Sequence, residues 1–379
     1  MSSSLSSSLL RKKQSIQSQS QNVTPSEDPK TPPLPAQRAL TITPSPSQEH
    51  LLVYSSSSPF FRLLPPLIRR QILIEAFGER TLHIDLVYDH PLKYLDHFPR
   101  GKEAQLRPYI WRERDTKYPK AWTWFSCVCH RDGEWDMRER AKGRENGVGM
   151  MTEPYEDFCL DGVAKGCRSW RGEMPGKCFV GAIGWLLACR LAYNEGTDVL
   201  YSTNSFHISN HEMMHALPNQ IRDKHRAMIT SVEIVWKFLR DPRESVLDQL
   251  EVLLQRIPQC FPQLRNLYLY PSGLWKTPMD PFDDDTEEFE NDVLGLIDGM
   301  VRKLGPRLLV CDFVMPLSKF NSHWESGMEK GNKYDDGLST RWSRRIWRPL
   351  EPVQQEIGSE EVVGSGYWIR ERLDDEEDE

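Results

Sequence analysis

From Trp185 to Ser209 the spacing of apolar residues changes from helical to alternating. Ile183, Leu186, Leu187, Leu191 and Val199 fall near one side of a 3.6-residue repeat, opposite Arg190, Asn194, Glu195 and Asp198, which predicts one amphipathic helix. Ser202, Thr203 and Asn204 then supply turn-forming side chains. Phe206 and Ile208 alternate with His207 and Ser209, as in a half-buried strand. Upstream, Leu63, Leu64, Leu67, Ile68, Ile72 and Leu73 follow Pro65 and Pro66 at helical spacing, which predicts an opening helix that packs into the core and stops at Gly78. Leu82, Ile84 and Leu86 alternate with His83 and Asp85 and predict a strand.

Beyond residue 230 the pattern reads strand, helix, strand, helix, strand. Val232, Ile234 and Trp236 form the first strand. Asp241, Pro242 and Glu244 suggest a capping box opening a helix with Val246, Leu247, Leu250, Leu254 and Ile257 on one face, ended by Pro258 and Pro262. Leu264 to Tyr270 is the second strand. A second helix places Phe289, Val293, Ile297, Met300 and Leu304 inward; Asp283 to Asp285 precede it and Arg302 and Lys303 close it, in keeping with the helix dipole. Leu308 to Val314 is the third strand. Residues 317–365 read as loop-rich, and Tyr367 to Arg370 as a last strand. The expected fold class is α+β or α/β: a single globular domain with a small, mainly parallel sheet flanked by helices and joined by right-handed crossovers.

Composition adds tails and an insertion. Residues 1–56 are rich in Ser, Pro, Gln and Thr and read as a disordered tail, residues 57–373 as the globular domain, and 374–379 as a solvated acidic tail. The tail carries Thr24, Thr31, Thr43 and Ser45 before prolines, pairs that a proline-directed kinase could modify but that more simply come with the composition, and a weak polyproline ligand pattern from Thr31. Residues 90–181 form a loop-rich insertion studded with Trp111, Trp122, Trp124, Trp135 and Trp170.

At 379 residues with 39% hydrophobic side chains and 12 Trp, the chain is too apolar for wholesale disorder. A net charge of −7 with no evident basic face argues against nucleic acid as a partner. No apolar run reaches membrane-spanning length and no secretory leader is evident, so the expected compartment is cytoplasmic or nuclear, with no membrane partner.

Candidate chemistry is sparse. His211-Glu212-Met213-Met214-His215 matches the H-E-x-x-H zinc-hydrolase pattern, but Pro218 predicts a short surface helix, and Glu233, the nearest third ligand, falls on an alternating strand. Cys127, Cys129, His130, Cys159, Cys167 and Cys178 crowd the insertion without regular C-x-x-C spacing, so buried free thiols are the simpler reading and a zinc site there stays open. Cys189 and Cys260 adjoin apolar helix positions and read as core. Gly172 to Cys178 imitates a phosphate-binding loop but is one residue short and ends in Cys; Asp283 to Asp285 suit helix capping better than a cation. No catalytic, cofactor or metal residues are therefore assigned. The expectation is a non-enzyme without a cofactor.

Four segments carry a family resemblance: LLPPLIRRQILIEAFGERTLHIDL from Leu63, WTWFSCVCHR from Trp122, WLLACRLAYNEGTDVLYSTNSFHIS from Trp185, and ITSVEIVW from Ile229, with a weaker echo in GYWIRE from Gly366. They resemble DUF7730, a fungal family known only as a domain of unknown function, some of whose members look distantly F-box-like at the opening helix. The resemblance implies a fold and no catalytic residues. The expected function is a protein–protein interaction module with unidentified protein partners. The alternative is an F-box-like substrate receptor of a cullin ubiquitin ligase, whose helix from Leu63 to Phe77 docks a Skp-type adaptor; a zinc hydrolase through His211 and His215 ranks last.

Overall fold

The computed structural model describes residues 58–91, 115–129, 131, 153–156, 178–238, 245–274, 285–336, 343–350 and 366–372. Both expected tails, Asp241 to Glu244, the Gly172 to Lys177 loop, His130, Cys159 and Cys167 lie outside those residues. In chain order the elements are α1 (Pro59–Leu63), α2 (Pro66–Phe77), β1 (Thr81–Asp89), β2 (Ala121–Val128), a 3-10 turn (Pro154–Glu156), α3 (Ile183–Leu186), α4 (Arg190–Ser202), β3 (Ser205–Ile208), α5 (His211–Gln220), α6 (Asp223–Arg226), β4 (Ser231–Lys237), α7 (Val246–Cys260), β5 (Asn266–Ser272), α8 (Asp285–Leu304), β6 (Val310–Met315), α9 (Leu317–Glu329), β7 (Tyr334–Asp335), β8 (Arg345–Pro349) and β9 (Gly366–Glu371).

The sheet has nine strands in the order β2-β1-β3-β4-β5-β6-β9-β8-β7. Its six central strands, β1, β3, β4, β5, β6 and β9, are mutually parallel and advance one neighbour at a time in one direction; antiparallel β2 closes one edge, and β8 with β7 the other. Crossovers of one hand that always step the same way put the connecting helices on the same face. The core follows that rule. Leu82, Ile84, Phe206, Ile208, Val232, Ile234, Leu267, Leu269, Cys311 and Phe313 form one cluster with Met213 and Leu217 of α5, Leu250 and Ile257 of α7, Val293 and Ile297 of α8, and Phe320 of α9.

The mixed, mainly parallel fold agrees with the sequence reading, but the sheet is larger than expected because two stretches expected to be loop-rich contain strands. Part of the insertion is β2, paired with β1 over its whole length; its residues 121–128 are mostly β-branched or aromatic on both faces, so alternation gives no cue. The region read as loops from residue 317 holds α9, β7 and β8, and α9 buries only Phe320 and Gly327. The long helix expected at Ile183 is two helices, broken where Cys189 adopts an extended backbone and its thiol accepts from the Ala192 N–H at 3.4 Å. Cys189 is thus an exposed cap and not a core residue, whereas Cys260 is buried as expected. Gly196 permits the fold-back, since a Cβ there would come within 2.7 Å of Trp185 and Leu186. Ser245 caps α7, its Oγ accepting from Leu247 N–H, and α7 runs through Pro258 to Cys260.

The opening helix departs most from expectation. Leu73, Ile74 and Phe77 of α2 are buried against Ala182 and Val199, together with the guanidinium-bearing Arg69. Leu63, Leu67, Ile68 and Ile72, expected in the core, face solvent. Asn204 ties the layer to the sheet: its side-chain N–H groups donate to the Phe77 and Leu200 carbonyls, closing α2 and α4, and its Oδ1 accepts from Arg80 N–H at the start of β1.

Candidate functional site

The second face of the sheet carries a polar row beside a small cluster of Tyr155, Val235, Tyr268, Tyr270 and Val314, and the row comes from one repeated local pattern. Leu82-His83-Ile84, Phe206-His207-Ile208, Val232-Glu233-Ile234, Leu267-Tyr268-Leu269 and Cys311-Asp312-Phe313 each flank a polar residue with apolar ones. The strand registers align His83, His207, Glu233, Tyr268 and Asp312 in one row, continued by Trp368 and Trp347 on β9 and β8. Because alternate residues point to opposite faces, the flanking residues enter the core and the middle ones build a row.

These polar groups are largely buried, so they need partners to offset desolvation. Arg131 reaches back over the sheet and grips both oxygens of Glu233, its Nη1 donating at 2.9 Å to Oε2, which also meets His207 Nδ1 at 3.0 Å. Burial alone would raise the Glu233 carboxyl, but the Arg131 charge and the His207 hydrogen bond more than offset it and hold the group down at about 2. The His83 ring packs edge-on against His207, with centroids 4.6 Å apart. Further along, Arg370 donates through Nη2 to Asp312 Oδ2 at 2.8 Å and through Nη1 to Glu153 Oε1 at 3.2 Å; Glu153 also accepts from the Ser343 hydroxyl at 2.8 Å. Tyr155, just beyond Glu153, lies on Tyr270 with ring centroids 5.0 Å apart.

A cavity of about 440 Å³ opens between these two ionic groups. Its floor is the first residue of four successive strands: Ser205, Ser231, Asn266 and Val310. Glu233, Tyr268 and Asp312 form its back, and Glu153, Arg345 and Arg370 its far wall. The site lies at the strand starts, unlike the carboxyl-end crevice of doubly wound sheets, and the one-way strand order supplies no switch point of that kind. Burial, reinforced by the negative field of Glu153, pushes the Tyr268 phenol well above its ordinary value, so the group is a neutral O–H.

The sequence motifs fall elsewhere. His211 and His215 lie on α5, their ring centroids 4.4 Å apart, beside Trp236 on the helix-covered face. Glu233, the third ligand considered from sequence, is on the opposite face and committed to Arg131. The α5 helix runs through Pro218 and buries Met213, Met214 and Leu217, so it is a core helix and not the short surface helix expected. Among the described residues no group of three or more His, Cys, Asp or Glu is placed to hold a metal ion. Cys127 is buried and Cys129 and Cys178 are half-buried, and Cys127 faces His83 across the β1–β2 register. No helix among the described residues is long and apolar enough to cross a membrane.

Apart from Glu233, the cavity residues were not singled out from sequence, because the site has no contiguous motif. The signal that finds them is the apolar-polar-apolar triplet recurring on successive strands. Comparison with known proteins finds no match among curated proteins or solved structures. One family does match: residues 126–249, which include β3, β4 and their helices, fit the model of DUF7730, a domain of unknown function.

Proposed function

We propose that this chain is a non-enzymatic protein–protein interaction module that docks its partner through the apolar strip of α1 and α2. The observation that carries the reading is the orientation of α2. Leu67, Ile68 and Ile72 are 80%, 49% and 42% exposed, and Leu63 continues the strip, while the other side of the same helix is packed on α4. Ile183 and Leu187, around the adjoining α3, are exposed as well. Burying one large aliphatic side chain is worth about 1.5–3 kcal/mol, so the strip leaves unused a gain on the order of several kcal/mol that a complementary surface can capture. Exposed Arg62, Arg70 and Arg190 lie beside these residues. The partner that fits is therefore an apolar groove with an acidic rim.

A second reading, the F-box-like receptor, is favoured by the exposed run of Pro65, Pro66, Leu67 and Ile68, which places a proline-led apolar helix where an adaptor can reach it. In that reading the strip takes a Skp-type adaptor and the sheet region holds a target.

The test is affinity purification of the tagged full chain from its native cells, beside the double variant Ile68→Asp/Ile72→Asp, with mass spectrometry of what co-purifies. A stoichiometric protein retained by the wild type and lost by the folded variant supports the module. If that set contains a Skp-type adaptor and a cullin, the second reading is favoured. An identical set of partners for the two proteins contradicts docking through this strip.

A further inference from the structure

The apolar strip of α1 and α2 lies where the preceding chain enters the fold. Phe61 is buried with Leu191 and Ala192 of α4, the Phe60 ring meets Trp185 of α3 with centroids 4.9 Å apart, and Arg69 of α2 donates through Nη1 to the Leu64 carbonyl at 2.6 Å. These contacts fix α1 against its three neighbours. Ser58, the first described residue, is therefore separated from the exposed Leu63 only by the five-residue α1.

The chain before Ser58 is polar with one exception. Among residues 1–57 the longest run of aliphatic or aromatic side chains, proline apart, is Leu51-Leu52-Val53-Tyr54, and no other exceeds two. Such a run gains by leaving water, and the first uncovered apolar surface it meets along the chain is the strip. Reach permits the contact. An extended chain spans about 3.3–3.6 Å per residue, so the six residues from Leu52 to Ser58 bridge roughly 20 Å, against about 7.5 Å for the length of α1. A tether this short holds its segment at an effective concentration on the order of millimolar, enough to fill a weak apolar site. Charge agrees as well, since Glu49 precedes the run and exposed Arg62 and Arg70 flank the strip. A second copy of the chain fits less well, because a two-fold contact would set these arginines against themselves.

We propose that Leu51 to Tyr54 fold back in cis on the α1–α2 strip and cover Leu63, Leu67 and Ile68, so that a partner taking the strip must displace the protein's own chain. The inference rests on the docking reading above and adds what occupies the strip when no partner is bound.

The test is photo-crosslinking within the purified full chain, and it needs no partner. The probe is a benzophenone introduced by Leu52→p-benzoylphenylalanine; Leu9→p-benzoylphenylalanine, in the apolar pair Leu9-Leu10, is the control. Irradiation at low concentration should give a product of monomer mass whose crosslinked peptide contains residues 62–72. Adding Ile68→Asp/Ile72→Asp should cut its yield roughly tenfold, as the loss of apolar contact requires. Leu67→Ser, at the most exposed position of α2, should lower the yield too and serves as the second strip variant if the double one does not fold. The proposal is overturned if position 52 crosslinks elsewhere or not at all, or if the product has dimer mass only, as for a strip covered by a second copy. Equal labelling of residues 62–72 from position 9, or a yield unchanged in the strip variants, overturns it as well. Its failure is separable from that of the docking reading. No crosslink, beside partner capture that still depends on Ile68 and Ile72, overturns the cis contact alone. A strip-dependent crosslink beside identical partner sets for wild type and strip variant supports the cis contact and contradicts the docking reading.

Discussion

Arg69 lies across the carboxylate of Glu195, its Nε 3.1 and 3.0 Å from the two oxygens, while its Nη1 donates to the Leu64 carbonyl at 2.6 Å. One buried guanidinium thus joins α2 to α4 and satisfies a carbonyl just beyond the end of α1. It also sets which face of α2 is buried. With Arg69 turned inward beside Leu73, Ile74 and Phe77, the residues one helical step away, Ile68 and Ile72, turn outward.

Replacing Arg69 by Met should therefore destabilise the protein by about 2–3 kcal/mol, less than a fully buried pair would cost because Glu195 keeps 22% exposure. Urea unfolding measures it. The reciprocal change Glu195→Gln, which retains an acceptor, should cost less. Equal, near-zero losses in both variants would show that apolar packing alone orients α2.

Apolar periodicity cannot detect such a residue, which is why the buried face of α2 was misread. Leu63, Leu64, Leu67, Ile68 and Ile72 recur at helical spacing as well as Leu73, Ile74 and Phe77 do, and a helix with apolar residues nearly all round does not declare its inner side. Where the pattern had one face, as in β1, β4 and α7, the sequence sufficed: Leu82, Ile84, Val232, Ile234, Leu250 and Leu254 are all core. The break before Cys189 was illegible because Leu187 and Leu191 keep helical spacing across it. The polar row was illegible for another reason, since His83 and Asp312 are brought into one row only by strand registers that no local window contains.

The pairing of Glu233 predicts a specific response to acid. Its carboxyl is held from an ordinary value of 4.5 down to about 2, so the folded state releases this proton more readily than the unfolded chain. Its contribution is complete above about pH 4.5 and disappears as pH falls through 2. Subtracting the stability curve of Glu233→Gln from that of the wild type should give a difference that is flat above pH 4.5 and shrinks below it. A difference independent of pH would mean that the carboxylate carries no net pairing energy. At neutral pH the variant should itself lose about 3 kcal/mol, because the buried Arg131 loses the carboxylate that both of its Nη groups bind.

His215 should act in a different window. Burial first, then the charges of His211 and Arg256, lowers its imidazole from 6.5 to about 4. On acidification the unfolded chain takes up this proton near pH 6.5 and the folded protein only near 4, so stability declines between those values and levels off below them. In His215→Asn that part of the decline should be absent, as read by the thermal midpoint at a series of pH values. An unaltered slope between pH 6.5 and 4 would place the histidine in solvent.

The cost of a charge on either side of α2 tests most directly whether that helix presents an apolar strip to a partner. Ile68→Asp and Ile72→Asp, at exposed positions, should give soluble protein with native circular dichroism and a loss of no more than about 1 kcal/mol, whereas Leu73→Asp, at a buried one, should cost several kcal/mol or abolish folding. Insoluble or unfolded Ile68→Asp and Ile72→Asp, beside a tolerated Leu73→Asp, would reverse the orientation of α2 and contradict the account.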